Sequence, residues 1–161
     1  MEISFCPRCG TRVELAFRHG RMRPSCPACR FIHFANPRVA VVIFAAEADR
    51  VLLVKRKVVP EKGKWALAAG FMDLGEAPEE AAIREMKEET GLDIRVRGMM
   101  ELGFDSTSRA VVILYRADVV GGHLAAADDV EDARWFSRDA IPELAFDTTR
   151  RSVRAWLAET L

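Results

Sequence analysis

Four cysteines lie within the first 29 residues and form two pairs. They are Cys6-Pro7-Arg8-Cys9 and Cys26-Pro27-Ala28-Cys29, separated by 16 residues. A Cys-x-x-Cys turn directs two thiolates at one point, and two facing turns complete the tetrahedral sulfur site that Zn²⁺ prefers. The spacing therefore predicts one structural zinc ion, closed to water, with four ligands: Cys6, Cys9, Cys26 and Cys29.

Two other kinds of chemistry use paired cysteines, namely structural disulfides and dithiol redox exchange. The few residues before Cys6 have no basic segment followed by an apolar one, so we expect no secretory signal and a cytoplasmic location, where disulfides are rare. No strand–helix–strand pattern surrounds the cysteines, which disfavours a thioredoxin-like pair. Zinc is the interpretation that fits the sequence best.

A second group of reactive side chains is acidic. Glu85, Glu88 and Glu89 lie in a predicted helix over residues 77–90, and at the helical repeat they share an arc of about 100°. Like charges at these spacings repel, and a solvated helix face usually mixes signs. The stripe suits a hard divalent cation, Mg²⁺ or Mn²⁺, although an acidic solvated face is the alternative when the helix is considered alone.

The residues around this stripe resemble the signature of a known family. The run from Gly70 to Leu92 resembles the Nudix box, Gly-x5-Glu-x7-Arg-Glu-U-x-Glu-Glu-x-Gly-U, where U is an aliphatic residue. Every fixed position is matched, and the similarity extends over roughly residues 36–158. Just before the box, Ala68-Ala69 replaces the family's usual Pro-Gly or Pro-Ala.

The resemblance implies a role for each matched position. Glu85, Glu88 and Glu89 would hold two or three catalytic Mg²⁺ or Mn²⁺ ions, and Gly70 would let the backbone turn and bring a carbonyl to the metal. Arg84 would orient Glu85 or its neighbours, a role compatible with a surface pair to Glu88. Glu76 would brace the loop, and Asp129, from the acidic loop at 128–132, would serve as a general base or an extra metal ligand.

Three substrate contacts are candidates on the residue types alone. Arg56 and Lys64 could hold phosphate oxygens or be solvated surface charges. Phe104 could stack on an adenine, with Phe31 and Phe34 as alternatives and a core position open for all three.

The elements that must position these residues can be read from hydrophobic patterning. Pro78 fits the first turn of the box helix and Gly91 its end, and Ala82, Ile83 and Met86 are expected to pack on a sheet. Strands are predicted at about 94–104 and 109–119, and a final helix at about 148–160 with Val153, Trp156 and Leu157 in the core. In the cysteine segment, residues 13–17 predict one strand, followed by a turn at His19-Gly20.

The predicted fold class is α/β. We expect a Nudix-type α/β/α sandwich around a mixed sheet, over residues 36–161, preceded by a small zinc ribbon over residues 1–35.

Composition sets the outer bounds. The chain has 161 residues, 50% of them apolar, and its 24 basic side chains balance 24 acidic ones, which argues against nucleic acid as a partner held by bulk charge. Its longest apolar run has eight residues, so no membrane span is predicted. The balance conceals a division, because residues 1–38 carry a net charge of +5 and residues 39–161 a net charge of −5.

The resemblance also narrows the substrate to a small nucleotide. A zinc ribbon before a Nudix domain is similar to the NADH pyrophosphatases and to a smaller group that includes FAD and ADP-ribose pyrophosphatases. The chain lacks the Ser-Gln-Pro-Trp-Pro-Phe-Pro tract of the former after the box, whereas its Phe31–Pro37 and Leu144-Ala145-Phe146 segments resemble the latter. We therefore expect a pyrophosphohydrolase acting on ADP-ribose or FAD.

Several alternatives stay open. They are an NADH pyrophosphatase, a hydrolase of damaged nucleoside triphosphates, and a nucleotide-sensing or nucleic-acid-binding regulator. A homodimer is also open.

Overall fold

A computed structural model describes residues 3–106 and 108–159. The chain divides into two compact units, Met1–Pro37 and Arg38–Leu161. Within the described residues, no helix has the length and apolar character needed to cross a membrane.

The first unit is built on a hairpin. Strands β1 (Glu14–Arg18) and β2 (Arg21–Ser25) pair antiparallel, and His19 and Gly20 join them with positive φ angles of 47° and 78°. Two such angles define the tight turn whose twist matches a hairpin. The predicted strand and turn are confirmed, while β2 was not predicted, because its two arginines and its proline obscure the strand pattern.

The second unit contains seven strands and two helices. In chain order these are β3 (Arg38–Glu47), β4 (Arg50–Arg56), β5 (Trp65–Ala66), β6 (Ala68–Phe71), α1 (Pro78–Thr90), β7 (Leu92–Asp105), β8 (Ala110–Gly122), β9 (Val130–Ser137) and α2 (Asp147–Ala158). The strand order is β5-β4-β3-β8-β7, with β6 paired to β3 and β9 paired to β4. The sheet is mixed, since β3 and β8 run parallel while the other pairs are antiparallel.

Strand β3 carries the core on both of its faces. Val41 and Ile43 pack in one apolar cluster with Met86 of α1, and Phe44 packs in a second cluster with Trp156 of α2. Because successive side chains of a strand point to opposite faces, the helices must cover opposite sides of the sheet. The predicted α/β/α sandwich is confirmed.

The helix that carries the box begins at Pro78, one residue after the predicted start, and ends at Thr90 as predicted, with Gly91 in the left-handed region at φ 71°. Its apolar face differs from the prediction at Ile83, which is 43% exposed, and Leu157 of α2 is also exposed. Both side chains lie at the edge of the buried arc of their helix, where a one-residue rotation decides between core and solvent. The predicted end of the final helix, residue 160, lies outside the described residues.

The end of α1 is tied to the loop that follows β8. The backbone N–H groups of Ala125 and Ala127 donate to the carbonyls of Thr90 and Glu89 at 2.9 and 3.1 Å. These bonds satisfy carbonyls that have no partner inside the helix. The helix terminus therefore fixes where the acidic loop lies.

The Gly91→Ala substitution tests this junction. A Cβ at position 91 would lie 2.5 Å from the carbonyl oxygen of His123, in a backbone conformation that L-residues avoid. We expect the free energy of unfolding, measured by urea denaturation, to fall by about 1–3 kcal/mol. Gly98→Ala is the matched control, because a Cβ there meets open space, and a similar loss in that variant would contradict the explanation.

Candidate active site

The three acidic side chains of the box divide into a buried pair and an exposed neighbour. Glu85 is 9% exposed and Glu89 is 4% exposed, whereas Glu88 lies at the surface. The pair lies on the buried arc of α1, among the alanines and Met86 that pack on the sheet. Two carboxylates are therefore held in a region from which a helix would normally exclude charge.

Glu85 lies directly against Gly70. A Cβ built on Gly70 would be 1.9 Å from the carboxyl carbon of Glu85. Gly70 lies inside β6, paired with Val41 of β3, so a backbone turn is not the reason for glycine at this position. The expected turn is corrected to a close approach, since no other residue type leaves room for this carboxylate.

Arg84 joins the acidic residues into one network. Its guanidinium donates to both carboxylate oxygens of Glu76 at 2.7 and 2.9 Å, to Oε1 of Glu85 at 2.8 Å and to Oε2 of Glu88 at 3.0 Å. It also donates to the carbonyl of Phe71, next to Gly70, at 3.0 Å. The side chain of Arg84 therefore links α1, the end of β6 and the loop between them.

Glu76 holds the far side of this loop. Its carboxylate accepts a hydrogen bond from the backbone N–H of Asp73 at 3.0 Å, in addition to the fork of Arg84. These hydrogen bonds, with Arg84 first, lower the pKa of Glu76 to about 2. The carboxylate therefore stays ionised, and it contacts Arg84 and the loop backbone.

Glu89 has a different environment. Its Oε2 accepts one hydrogen bond, from the backbone N–H of Ala69 at 3.1 Å, and in the described part of the chain no basic side chain forms an ion pair with it. Burial raises its pKa to about 8, and the nearby charges of Asp129 and Glu85 act in the same direction. Burial also raises the pKa of Glu85, in spite of its bond to Arg84.

The acidic loop before β9 contributes two charges to this region. The charge of Asp129, the residue that the sequence favoured, raises the pKa of Glu89, and the charge of its neighbour Asp128 raises the pKa of Glu85. The carbonyl of Asp129 accepts from the N–H of Lys57 at 2.9 Å, which anchors the loop to the end of β4. Asp128 has a φ of 53°, a conformation that aspartate tolerates better than most residues.

The three predicted substrate contacts have different surroundings. The guanidinium of Arg56 lies 4.8 Å from the ring centre of Phe146, and its charge lowers the pKa of Glu89, so it is close to the acids. Lys64 is held by Glu61 at 2.8 Å and Glu143 at 3.0 Å. Phe104 is 63% exposed on β7, and no described contact joins it to the acids of α1. Phe146 was not predicted as part of this region, because its proximity depends on the path of the chain into α2.

A divalent cation is compatible with this donor set. Buried carboxylates with raised pKa values gain from a nearby positive charge, and oxygen donors suit Mg²⁺ and Mn²⁺. Across residues 3–106 and 108–159, the carboxylate oxygens of Glu85, Glu88 and Glu89 do not approach within 4.8 Å of one another as a set of three. Nη1 of Arg84 contacts the carboxylates of both Glu85 and Glu88, so a cation that bound these two residues would compete with Arg84.

The cysteines of the first unit do come together. Their four Sγ atoms lie within 4.8 Å of one another, with Cys6–Cys29 and Cys9–Cys26 separations of 3.5 Å. A disulfide needs about 2.05 Å. A tetrahedral site with Zn–S bonds of about 2.3 Å has sulfur–sulfur edges of about 3.8 Å, so the donor set fits zinc.

The two cysteine turns have matching geometry. The backbone N–H of Arg8 donates to Sγ of Cys6, and that of Cys29 donates to Sγ of Cys26, both at 3.4 Å. The N–H groups of Cys6 and Cys26 each donate to the carbonyl five residues later, at 2.8 Å. The residue after each pair has a positive φ, 71° at Gly10 and 60° at Arg30. Only the first of these positions is a glycine.

Comparison with known proteins identifies the second unit. The family model described as "NUDIX domain" matches residues 35–157, which is well over half of the chain. The chain belongs to the Nudix family. This match confirms the predicted enzyme class, a Nudix pyrophosphohydrolase of nucleotide derivatives.

Three similar proteins are informative. An "ADP-ribose pyrophosphatase" of Methanocaldococcus jannaschii is 40% identical over 118 residues, 71% of this chain and 70% of that protein. An "NAD-capped RNA hydrolase NudC" of Vibrio atlanticus is 34% identical over 148 residues, 89% of this chain but only 52% of that protein. The crystal structure of a Nudix hydrolase from Nitrosomonas europaea covers 96% of this chain and 90% of its own, with a TM-score of 0.89 and 30% identity.

Because the carboxyl of Glu89 is buried, we expect the Nudix domain to become less stable as pH rises when no Mg²⁺ or Mn²⁺ is bound. Because the native pKa of about 8 exceeds the ordinary value of 4.5, the native state keeps a proton that the unfolded chain releases, so stability falls as pH rises between these values. Glu89→Gln removes the titrating group. The difference in free energy of unfolding between this variant and the wild type should therefore shift in favour of the variant by up to about 1.4 kcal/mol for each pH unit in this window. Urea denaturation at pH 5.5 and 7.5 measures the change, and an equal difference between the two proteins at both pH values would contradict it.

Proposed function

We propose that the Nudix domain hydrolyses the diphosphate bond of a nucleoside diphosphate derivative, with Glu85, Glu88 and Glu89 as the ligands of Mg²⁺ or Mn²⁺. The observation that carries the proposal is the burial of Glu85 and Glu89 against Gly70 and Ala69. Carboxylates so buried, with raised pKa values, need a function that repays the cost of their desolvation.

The chain's own residues would prepare the site. The N–H of Ala69 fixes one oxygen of Glu89 and leaves the other available, while Arg84 fixes Oε1 of Glu85 and leaves Oε2 available. Bound divalent ions would neutralise the diphosphate and lower the pKa of a water molecule. The backbone carbonyl near Gly70 would be a further ligand, and Glu76 would hold Arg84 in place.

Asp129 would be the catalytic acid–base group contributed by the loop. Its support is electrostatic, since its charge acts on Glu89, and structural, since its carbonyl is anchored by the N–H of Lys57. Arg56 is the favoured phosphate contact, because it is the predicted cation that lies near Glu89.

For the substrate, ADP-ribose or FAD is proposed. Support comes from the 40% identical relative named ADP-ribose pyrophosphatase, and from the resemblance of segments around Phe34 and Phe146 to the FAD and ADP-ribose group. An NAD derivative is the second candidate. It is favoured by the Vibrio protein, whose similarity covers 89% of this chain, although the chain spans about half of that protein's length.

The first unit is proposed to be a zinc ribbon, with Cys6, Cys9, Cys26 and Cys29 as ligands. The sulfur separations of 3.5 Å and the backbone N–H groups directed at two of the sulfurs support this assignment. A unit of some 35 residues buries little apolar surface, so the metal would supply much of its stability. The division proposed from the sequence, 1–35 and 36–161, lies two residues from the boundary between the compact units.

The Glu89→Gln variant tests the hydrolase site. The amide nearly preserves the shape of the side chain but is a weaker ligand for a hard cation, so turnover should fall by about a hundredfold or more while the fold is kept. Hydrolysis is measured on ADP-ribose, FAD, NADH, diadenosine polyphosphates and oxidised nucleoside triphosphates, with Mg²⁺ and with Mn²⁺, alongside thermal melting.

Two other glutamate-to-glutamine substitutions provide controls. Glu80→Gln makes the same chemical change on the same helix, where the side chain accepts from the N–H of Ala77 and a glutamine can do so too. It should retain normal turnover, and Glu76→Gln should lose less than Glu89→Gln. Near-normal turnover of Glu89→Gln on the best substrate would reject the mechanism and favour a nucleotide sensor.

Metal analysis tests the zinc ribbon. Purified protein should contain one tightly bound zinc per chain, and Cys26→Ser should lose it because a hydroxyl is a poor substitute for a thiolate. Ser25→Ala, at the adjacent buried position, should keep the zinc. Protein expressed under reducing conditions that held two disulfides and no zinc would refute the assignment.

A further inference from the structure

The hairpin of the first unit has two faces of different chemistry. Directly paired residues of an antiparallel ladder share a face. Leu15 pairs with Pro24 and Phe17 with Met22, which makes one face apolar. Arg18 pairs with Arg21, Ala16 with Arg23 and Glu14 with Ser25, which places three arginines and one glutamate on the opposite face.

The positive charge of this opposite face is not balanced by the other described residues of the first unit, 3–37. Within residues 3–37 there are six arginines and one acidic residue, Glu14, and no ion pair joins any of these arginines to Glu14. A zinc tetrathiolate would add two negative charges, so the unit stays positive. By contrast, nine basic side chains of the second unit form ion pairs with carboxylates.

The pairing of Arg18 with Arg21 is itself unfavourable. Like charges directly opposite each other destabilise a ladder, and both side chains are exposed at the end of the hairpin. Arg18 donates to the carbonyl of Phe17 at 3.0 Å and Arg23 to the carbonyl of Arg18 at 3.2 Å, bonds that position the guanidinium groups without neutralising them. A bound polyanion would relieve this repulsion.

An aromatic ring accompanies the arginines. The guanidinium of Arg23 lies 4.5 Å from the ring centre of Phe34, and Phe34 is still 46% exposed. His19 contacts the same ring at 5.8 Å between centres. Cations beside an exposed aromatic ring are the combination that binds the backbone and stacks the unpaired bases of single strands.

We propose that the basic face, formed by Arg18, Arg21, Arg23 and Phe34, binds single-stranded nucleic acid. The arginines contact successive phosphates, and a base stacks on Phe34. Single strands are specified because only unpaired bases can reach the ring. The balanced net charge of the whole chain conceals this surface, since the cations are concentrated in one small unit. The proposal goes beyond hydrolysis of a small nucleotide and does not depend on it.

Binding is tested with the full-length, zinc-loaded protein and a fluorescein-labelled ten-nucleotide oligouridylate, by anisotropy at several NaCl concentrations. The Arg18→Gln/Arg21→Gln double variant removes two phosphate contacts and relieves the repulsion between the strands, so the hairpin and its zinc should be retained. We expect at least tenfold weaker binding and a slope of log affinity against log salt that is shallower by about 1.4.

The matched control is Arg116→Gln/Arg154→Gln, which removes the same charge from exposed positions of the second unit. It should change affinity less than threefold. Equal weakening by the two double variants would overturn the proposal in favour of bulk charge, as would an unchanged salt slope in Arg18→Gln/Arg21→Gln. Both variants should hydrolyse ADP-ribose as the wild type does, so a failure of the hydrolase assignment would appear as inactivity of all three proteins and would leave the binding result intact.

The role of Phe34 separates nucleic acid from other polyanions. Phe34→Leu keeps an apolar side chain but removes the stacking ring, and it should weaken oligouridylate binding about fivefold or more while heparin binding changes less than twofold. Phe34→Tyr should restore oligouridylate binding. If Phe34→Leu affected both ligands equally, or neither, the basic face would be a general anion surface suited to an acidic protein, and the proposal would be wrong.

Discussion

The burial of two carboxylates, those of Glu85 and Glu89, on the sheet-facing side of α1 is the constraint on which the catalytic unit depends. An ionised carboxylate in an apolar interface is costly unless charges or hydrogen bonds compensate it. Each of the two is compensated only in part, Glu85 by Arg84 and Glu89 by one backbone N–H. A bound cation would supply the positive charge that these two carboxylates still lack.

Several features of the surrounding fold follow from this constraint. Gly70 has no side chain because the carboxyl of Glu85 occupies that space. Arg84 holds Glu85 from one side only if its guanidinium is itself held, which the bidentate contact with Glu76 and the carbonyl of Phe71 accomplish. Gly70, Glu76 and Arg84 are thus parts of one arrangement around the carboxylate of Glu85.

The sequence predicted the elements whose signals are local. Pro78 and Gly91 placed the ends of α1 to within one residue, and the paired cysteines predicted the cluster that the structure contains. What could not be predicted depends on tertiary position. Ile83 and Leu157 lie at the edges of helical arcs. In strand β2 the alternating apolar positions are held by a methionine and a proline, which give a weak strand signal. The reason for glycine at position 70 is a contact with a residue 15 positions away. The contact between Arg56 and Phe146 likewise depends on how β4 and the segment before α2 meet, which no local pattern encodes.

The two units distribute charge according to different needs. In the Nudix domain, basic side chains such as Lys64 and Arg84 form ion pairs with carboxylates of the loops and hold those loops in place. The buried acids of α1 are left with only partial charge compensation. Within residues 3–37 the arginines form no ion pair with a carboxylate, and two of them face each other across the hairpin. A surface that served only to carry a zinc ion would gain stability by replacing one of that pair, because like charges in register oppose the ladder. The pairing of Arg18 with Arg21 therefore opposes the folding of the hairpin, and it fits the anionic partner proposed for the basic face.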